Sequence, residues 1–259
     1  MTRAAVLGSP IAHSLSPALH RAAYAALGLD WTYEAIECRE EDLPEELGRP
    51  WAGLSLTMPL KRAVLPLLDE VSRLARAVGG ANTVVYEGGR RLGYNTDVYG
   101  MVTALTEAGV RSPGSAVVLG GGATACSALA ALRDLGLPKA VVVVRSPARA
   151  AEAVSAADRL GVSVSVQTFA DTVPSADLII STLPAHAADP YAEVVGRATG
   201  ALFDVVYAPW PTAAAEAVAE HGGIVVGGLP MLVHQAARQV ELMTGRAPAP
   251  VEAMRAAVS

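Results

Sequence analysis

Lysine is nearly absent from this chain of 259 residues: of its 20 lysines plus arginines, only Lys61 and Lys139 are lysines. A guanidinium stays protonated at any working pH, whereas an amine exchanges a proton once its pKa is lowered, so both lysines need inspection for chemistry. Cysteine is equally scarce. Cys38 and Cys126 have neither metal-ligand spacing nor an evident partner, which argues against a disulfide framework and a metal centre. No basic tract occurs, and with a net charge of −5 and a pI of about 5.6 a nucleic-acid partner is not expected. Long apolar runs are missing too. The longest uncharged stretch, between Arg111 and Arg133, carries Pro113, four glycines and several hydroxyl residues, unlike the roughly 20 apolar residues of a membrane-spanning helix. The mean hydropathy of +0.35 comes mostly from alanine, and the apolar run before Gly8 is too short for a signal-peptide core. A cytoplasmic protein with no membrane partner is expected. Neither repeats nor low-complexity linkers are found. Hydrophobic residues at 52% against 17% charged exclude a disordered chain, and the length suits one large domain or two small ones.

Short apolar runs alternate with alanine-rich helical patterns. Strands are expected at residues 4–7, 31–36, 53–56 and 83–86, then at 116–119, 140–144, 164–169, 178–182, 202–206 and 224–226. Helices are expected at residues 18–27, 61–68, 98–108, 125–135 and 148–160. Strands separated by such helices read as βαβ units and a mainly parallel sheet, an α/β fold. Arg111-Ser112-Pro113-Gly114 separates a first βα set from a second. The last helical pattern, residues 231–244, has no strand after it and is expected to pack back on the first domain.

The second set opens with a run of apolar residues leading into Gly120, Gly121, Gly122, Ala123, Thr124 and Ala125, and a helix pattern follows. This is the G-x-G-x-x-A variant of the dinucleotide fingerprint, in the strand–turn–helix setting it requires. Gly120 allows the tight turn, Gly122 lets a pyrophosphate approach the backbone, and Ala125 lets helix and strand pack closely. The helix start then offers N–H donors to the phosphates. An NAD site would place an acidic residue at the end of the next strand, but Arg145, Ser146 and Arg149 stand there. Two guanidiniums and a hydroxyl suit a 2′-phosphate, so NADP(H) is the expected cofactor. The plainer alternative is that both arginines are solvated surface charge.

Three polar clusters mark the first part, each where a strand hands over to a helix, the edge where open α/β sheets bind ligands. In residues 8–17, Pro17 suits a first helical position and Ser16 its N-cap; Ser14 brings a second hydroxyl to the same helix end. Two hydroxyls at a helix start make a small-carboxylate site, while His13 reads as structural. In residues 53–61, a strand ends at Thr57 and Lys61 opens the next helix, against the helix dipole; a solvated surface lysine is the commoner fate. The third cluster is Asn95-Thr96-Asp97 with Asn82 upstream, where Asp97 is either a helix cap or one half of a proton-transfer pair with Lys61. Lys139, in a Leu-Pro-Lys turn, reads as surface.

Taken together, residues 8–17, 57–61, 81–83, 95–97, 120–125, 204–209 and 228–235 occur in the order seen in the shikimate dehydrogenase family, which the chain resembles from residue 4 to about residue 246. The likeness is to members of the actinobacterial type. It implies an NADP-dependent oxidoreductase acting on a CH–OH group, which reversibly reduces 3-dehydroshikimate to shikimate in aromatic amino-acid biosynthesis. The implied architecture is a mixed-sheet α/β substrate domain, residues 1–100 with 234–259, plus a Rossmann-like NADP-binding domain, residues 101–233, with the active site in the cleft between them. The chain is expected as a monomer or homodimer. Carried over by motif, Ser14 and Ser16 would bind the substrate carboxylate; Thr57, Asn82, Asp97 and Gln235 would hold the ring hydroxyls. Lys61 and Asp97 would form the catalytic pair.

Four motifs depart from the family pattern. Ser55 replaces a usual asparagine, Ala123 a glycine, Val144 and Ser146 flank the retained Arg145 where Asn-Arg-Thr is usual, and Pro230 stands where glycine is common. Ser55 touches substrate choice; Ala123 and the residues around Arg145 touch cofactor affinity. Alternative readings are a quinate/shikimate dehydrogenase using NAD, a non-catalytic dinucleotide-binding sensor, and another Rossmann reductase. Ser16 and Arg145 argue against the first, Lys61 and Asp97 against the second, and the Ser14–Ser16 pair against the third.

Overall fold

A computed structural model describes residues 2–169 and 173–259. Contacts divide the chain into two units, Met1–Asp97 with Leu232–Ser259, and Val98–Met231.

In the first unit the alternating runs fold as β1 (Thr2–Gly8), α1 (Ser16–Ala26), β2 (Trp31–Glu37), α2 (Leu43–Leu47), β3 (Gly53–Leu56), α3 (Leu60–Ala63), β4 (Glu70–Val71), α4 (Arg73–Val78), β5 (Thr83–Glu87) and β6 (Arg90–Tyr94). The strand order is β2-β1-β3-β5-β6-β4. The sheet is mixed: β1 runs parallel to β2 and β3, whereas β5 is antiparallel to both β3 and β6. Side chains of a strand alternate between faces, and here both faces are apolar. Ala4 and Val6 join Leu19, Tyr24, Tyr33 and Val240 in one cluster, while Ala5 and Leu7 join Leu43, Leu54, Leu56 and Leu60 in the other.

The second unit follows α5 (Asp97–Glu107) with β7 (Ala116–Leu119), α6 (Ala123–Asp134), β8 (Lys139–Val144), α7 (Ala151–Leu160), β9 (Ser163–Thr168), β10 (Leu178–Ser181), α8 (Ala192–Ala198), β11 (Ala201–Asp204), α9 (Ala213–Glu220) and β12 (Ile224–Val226). Its order is β12-β11-β10-β7-β8-β9, all parallel. From β7 the chain goes outward to β8 and β9, then returns to β10 on the other side, so the order reverses at β7. Helices α10 (Gly228–Thr244) and α11 (Val251–Ala256) end the chain. From Leu232 onward α10 belongs to the first unit, where Val233, Ala236, Ala237 and Val240 form a buried stripe at helical spacing.

Some elements differ from the sequence expectation. The helix expected over residues 61–68 stops at Ala63 and resumes only as a 3₁₀ turn, Leu65–Leu67, because Pro66 has no N–H to continue the ladder. Likewise the helix expected from residue 148 begins with a 3₁₀ turn, Pro147–Ala150, before α7. Strand β6 was not expected, since its two arginines mask the alternation. Gly88 and Gly89, both at positive φ, make the tight turn that pairs it with β5.

The core holds a neutral histidine. His20 on α1 is fully buried, stacks on the Tyr33 ring at 3.9 Å, and has ring nitrogens 3.2 Å from the Tyr24 hydroxyl and 3.2 Å from the Gln239 carbonyl oxygen. Burial pushes its pKa down from 6.5 to about 3, against the smaller upward pull of Gln239.

Two outcomes are expected. Leu54→Ala deletes fully buried side-chain volume from a central strand and should cost about 2–5 kcal/mol in urea unfolding. Between pH 6.5 and about 3 the unfolded chain protonates the His20 ring and the folded chain does not. The unfolded state therefore binds more protons and stability falls as pH is lowered through that window. In His20→Gln, unfolding across that window should take up about one proton fewer than in the wild type; an unchanged pH slope would show that the ring already protonates in the fold.

Candidate functional site

Register gathers the polar clusters of the first unit at one sheet edge. Leu7 of β1 lies beside Leu56 of β3, so both strands end there; Ser55 faces Thr83 and Thr83 faces Tyr94, so β5 starts there and β6 ends there. Backbone bonds tie the loops together. Ser9 N–H donates to the Met58 carbonyl (2.9 Å), Ala81 N–H to that of Lys61 (2.8 Å), and the Asn95 amide to that of Gly80 (3.0 Å).

At this edge Lys61 Nζ lies 2.8 Å from Asp97 Oδ2, the lysine side chain 18% exposed and the aspartate 5%. The lysine side chain thus keeps some exposure while its carboxylate partner is enclosed. Asp97 Oδ1 accepts a hydrogen bond from Asn82 Nδ2 at 2.9 Å. Asn82 is itself fixed: its Oδ1 accepts from the Thr96 backbone N–H (2.8 Å) and the Thr83 hydroxyl (2.8 Å), and its Nδ2 lies 2.9 Å from Thr96 Oγ1 and 3.3 Å from Gln235 Oε1. Gln235 Nε2 donates to the Leu232 carbonyl at 2.9 Å. Asp97 opens α5 but binds side chains with both oxygens, so the capping alternative does not describe its carboxylate.

Lys61, Asp97, Asn82 and Gln235 therefore form one hydrogen-bonded cluster. Ser14, Ser16 and Thr57 stand at the same sheet edge with no recorded bond to it among the described residues. Ser16 is not the N-cap of α1. Leu15 already has helical φ and ψ, so Ser16 is the first helical residue, and its N–H is met by Ser14 Oγ at 3.3 Å. His13 is exposed. Ser55, whose exchange for asparagine bore on substrate choice, is buried. It accepts from the Tyr33 hydroxyl (2.6 Å) and donates to Gln239 Oε1 (2.8 Å). Thr96 was read only as a member of the third cluster, and Gln239 and Tyr33, which join the same buried network, were missed. Of these two only Gln239 left a signal, an amide on the otherwise apolar stripe of α10.

In the second unit, the loop after β7 sits where the strand order reverses, the ligand-binding position of such sheets. Gly120 has φ +106, and a Cβ there would lie 2.5 Å from Thr182 Oγ1. A Cβ on Gly121 would meet the Arg149 carbonyl at 2.1 Å, so this glycine lets the loop pack against the segment after β8. At Gly122 a Cβ would meet nothing within 4 Å, so neighbouring protein does not demand glycine there and the backbone is open to close approach. Gly122 also precedes α6 without a side-chain cap, leaving first-turn N–H groups for an anion, while Ala125 is fully buried against the sheet. Ala123 and Thr124 are partly exposed in that first turn. Arg145, Ser146 and Arg149 are exposed beside the loop, and neither guanidinium is ion-paired among the described residues. Those features fit a phosphorylated dinucleotide.

Asp204, at the end of β11, braces the following loop. It accepts from Val206 N–H (3.1 Å) and from the hydroxyl of Thr212 (2.9 Å), which also caps α9. Burial pushes its carboxyl above the usual range, and the same effect raises Tyr207. Pro230 falls in the first turn of α10, where a missing N–H costs no helical bond. Among the described residues no helix is long and apolar enough to cross a membrane, and no group of three or more His, Cys, Asp or Glu could hold a metal ion.

Residues 6–84 match the shikimate dehydrogenase substrate binding domain, and residues 228–258 match the shikimate 5'-dehydrogenase C-terminal domain. The NADP(+) shikimate dehydrogenase of Thermus thermophilus is 38% identical over 257 residues, covering 96% of this chain and 95% of the relative. The crystal structure of Mycobacterium tuberculosis shikimate dehydrogenase superposes with a TM-score of 0.90 at 45% identity, over 99% of this chain and 98% of that one. A Thermus thermophilus shikimate 5-dehydrogenase in complex with NADP(H) and shikimate does so with a TM-score of 0.86 at 37% identity, over the whole of both chains. With likeness of this extent running through both units, the chain belongs to the shikimate dehydrogenase family.

Proposed function

We propose that this chain is an NADP-dependent shikimate dehydrogenase, interconverting 3-dehydroshikimate and shikimate in the cytoplasm. The observation that carries the reading is the Lys61–Asp97 pair at 2.8 Å, held by Asn82 at the ligand-binding edge of the first sheet, in a chain of this family. Residues 1–100 with 234–259 bind substrate and residues 101–233 bind the dinucleotide. Ser14 and Ser16 hold the substrate carboxylate at the start of α1. Thr57, Asn82, Asp97 and Gln235 meet the ring hydroxyls, and a site built from such groups rejects analogues that leave them unpaired.

In reduction, the Lys61 ammonium gives a proton to the oxygen at C3; in oxidation the amine takes the hydroxyl proton back. Asp97 stabilises the charged amine and aims it. When bound, NADP(H) supplies or accepts the hydride at the same carbon. Gly120, Gly121, Gly122, Ala123, Thr124 and Ala125 would hold its pyrophosphate on the start of α6, and Arg145, Ser146 and Arg149 its 2′-phosphate.

Lys61→Ala should lower turnover of shikimate about 10²- to 10⁴-fold with KM for shikimate nearly unchanged, read from absorbance of the reduced nicotinamide. Unchanged turnover would remove Lys61 from the chemistry. With shikimate or quinate offered against NADP or NAD, the wild type should turn over shikimate with NADP fastest. Arg145→Ala combined with Arg149→Ala should raise KM for NADP about tenfold or more, the loss of charge-assisted hydrogen bonds, and leave KM for NAD nearly unchanged. Preference for quinate and NAD would contradict the proposal, and no turnover by the folded protein would favour a sensor.

A further inference from the structure

Gln239 lies on the apolar stripe of α10, 1% exposed, among Ala236, Val240 and Met243. A buried amide is costly unless all its polar atoms are met, and here they are. Its Oε1 accepts from Ser55 Oγ at 2.8 Å and lies 3.2 Å from His20 Nε2. Its Nε2 donates to the Asn82 backbone carbonyl at 3.1 Å and to Thr83 Oγ1 at 3.2 Å. The backbone carbonyl can only accept, so the atom facing it must be the amide nitrogen, and the orientation of Gln239 is forced. Proton order then follows along the network. The Tyr33 hydroxyl donates to Ser55 at 2.6 Å, leaving the Ser55 proton for Gln239. Thr83 Oγ1, filled by Gln239 as an acceptor, directs its own proton to Asn82 Oδ1 at 2.8 Å. That bond, with the one from Thr96 N–H, commits Asn82 Oδ1 and turns Nδ2 toward Asp97 Oδ1.

We propose that Gln239 is the positioning residue of the Lys61–Asp97 pair, acting through Thr83 and Asn82, with Ser55 and Tyr33 fixing its own orientation. The short Ser55 side chain is part of this device: its hydroxyl lies between the Tyr33 ring and Gln239, bonded to both. The inference rests on the function proposed above for its kinetic readout, but the geometry it invokes is independent of substrate.

The test compares Gln239→Leu and the milder Thr83→Val with the wild type. The variants should lower kcat for shikimate oxidation about tenfold or more and displace its pH profile, while KM for NADP stays within about twofold. Adding either change to Asn82→Ala should cost little beyond Asn82→Ala alone, since all act through one chain of bonds. Because the protein has only Lys61 and Lys139, ¹³Cε-lysine labelling gives two NMR signals without any turnover. The Lys61 signal should shift in Gln239→Leu and Thr83→Val, and the Lys139 signal should not. A merely structural role would lower Tm but leave the pH profile and the Lys61 signal of the folded variants unchanged, which would overturn the proposal, as would multiplicative losses in the double variants. Should the wild type fail to oxidise shikimate, the functional reading falls while the Lys61 signal still decides the positioning role. Should Gln239→Leu not fold, Thr83→Val alone carries the same decision.

Discussion

Asp97 is a carboxylate almost closed off from water, and much of the first unit is arranged to make that tolerable. An ionised group in such a place is costly without an opposite charge and further hydrogen bonds, and loss of one partner leaves the other uncompensated. Lys61 supplies the charge and Asn82 the hydrogen bond, from 36 and 15 residues away in sequence. Only the sheet makes these residues neighbours. Parallel pairing of β1 with β3 and the antiparallel run from β3 through β5 to β6 put all three at one edge, and a slip of one residue would reverse the side chains of a strand. Register is therefore a condition of the Lys61–Asp97 pair, and the buried amides of Asn82 and Gln239 bond across it.

Charge is handled differently in the second unit. The chain carries a net −5, yet its loop after β7 and the segment after β8 present backbone N–H groups and two exposed guanidiniums. Three consecutive glycines do different work there. Gly120 supplies a left-handed backbone, Gly121 admits the Arg149 carbonyl, and Gly122 faces open space. A substitution at Gly120 or Gly121 would fail for its own reason, whereas no protein atom opposes a side chain at Gly122, a difference that a motif read as a single pattern conceals.

The sequence was most legible where one local property decides the outcome. Residues 53–56, 116–119 and 224–226 are strands as read, because each is a short apolar run between turn residues. Helix boundaries were less legible: Pro66 divides a pattern that looked continuous, and the pattern after Pro147 opens as a 3₁₀ turn before α7 begins. Within the site, Lys61 and Asp97 could be suspected from the rarity of lysine and the sheet-edge placement of both, but their pairing depends on register that no local pattern encodes. The role of Ser16 was misread as a cap because the serine-proline signal leaves open by one residue where the helix starts. The roles of Tyr33 and Gln239 were not legible for a similar reason: what matters in each is a partner 22 or 184 residues away.

A crystal structure of the protein with shikimate and NADP bound tests the central claim most directly. The C3 oxygen should lie within hydrogen-bond distance of Lys61 Nζ and the carboxylate on the Ser14 and Ser16 hydroxyls, with the Asn82–Asp97 bond retained. A substrate turned so that Lys61 meets its carboxylate, or one bound away from the edge where β1 and β3 end, would contradict it.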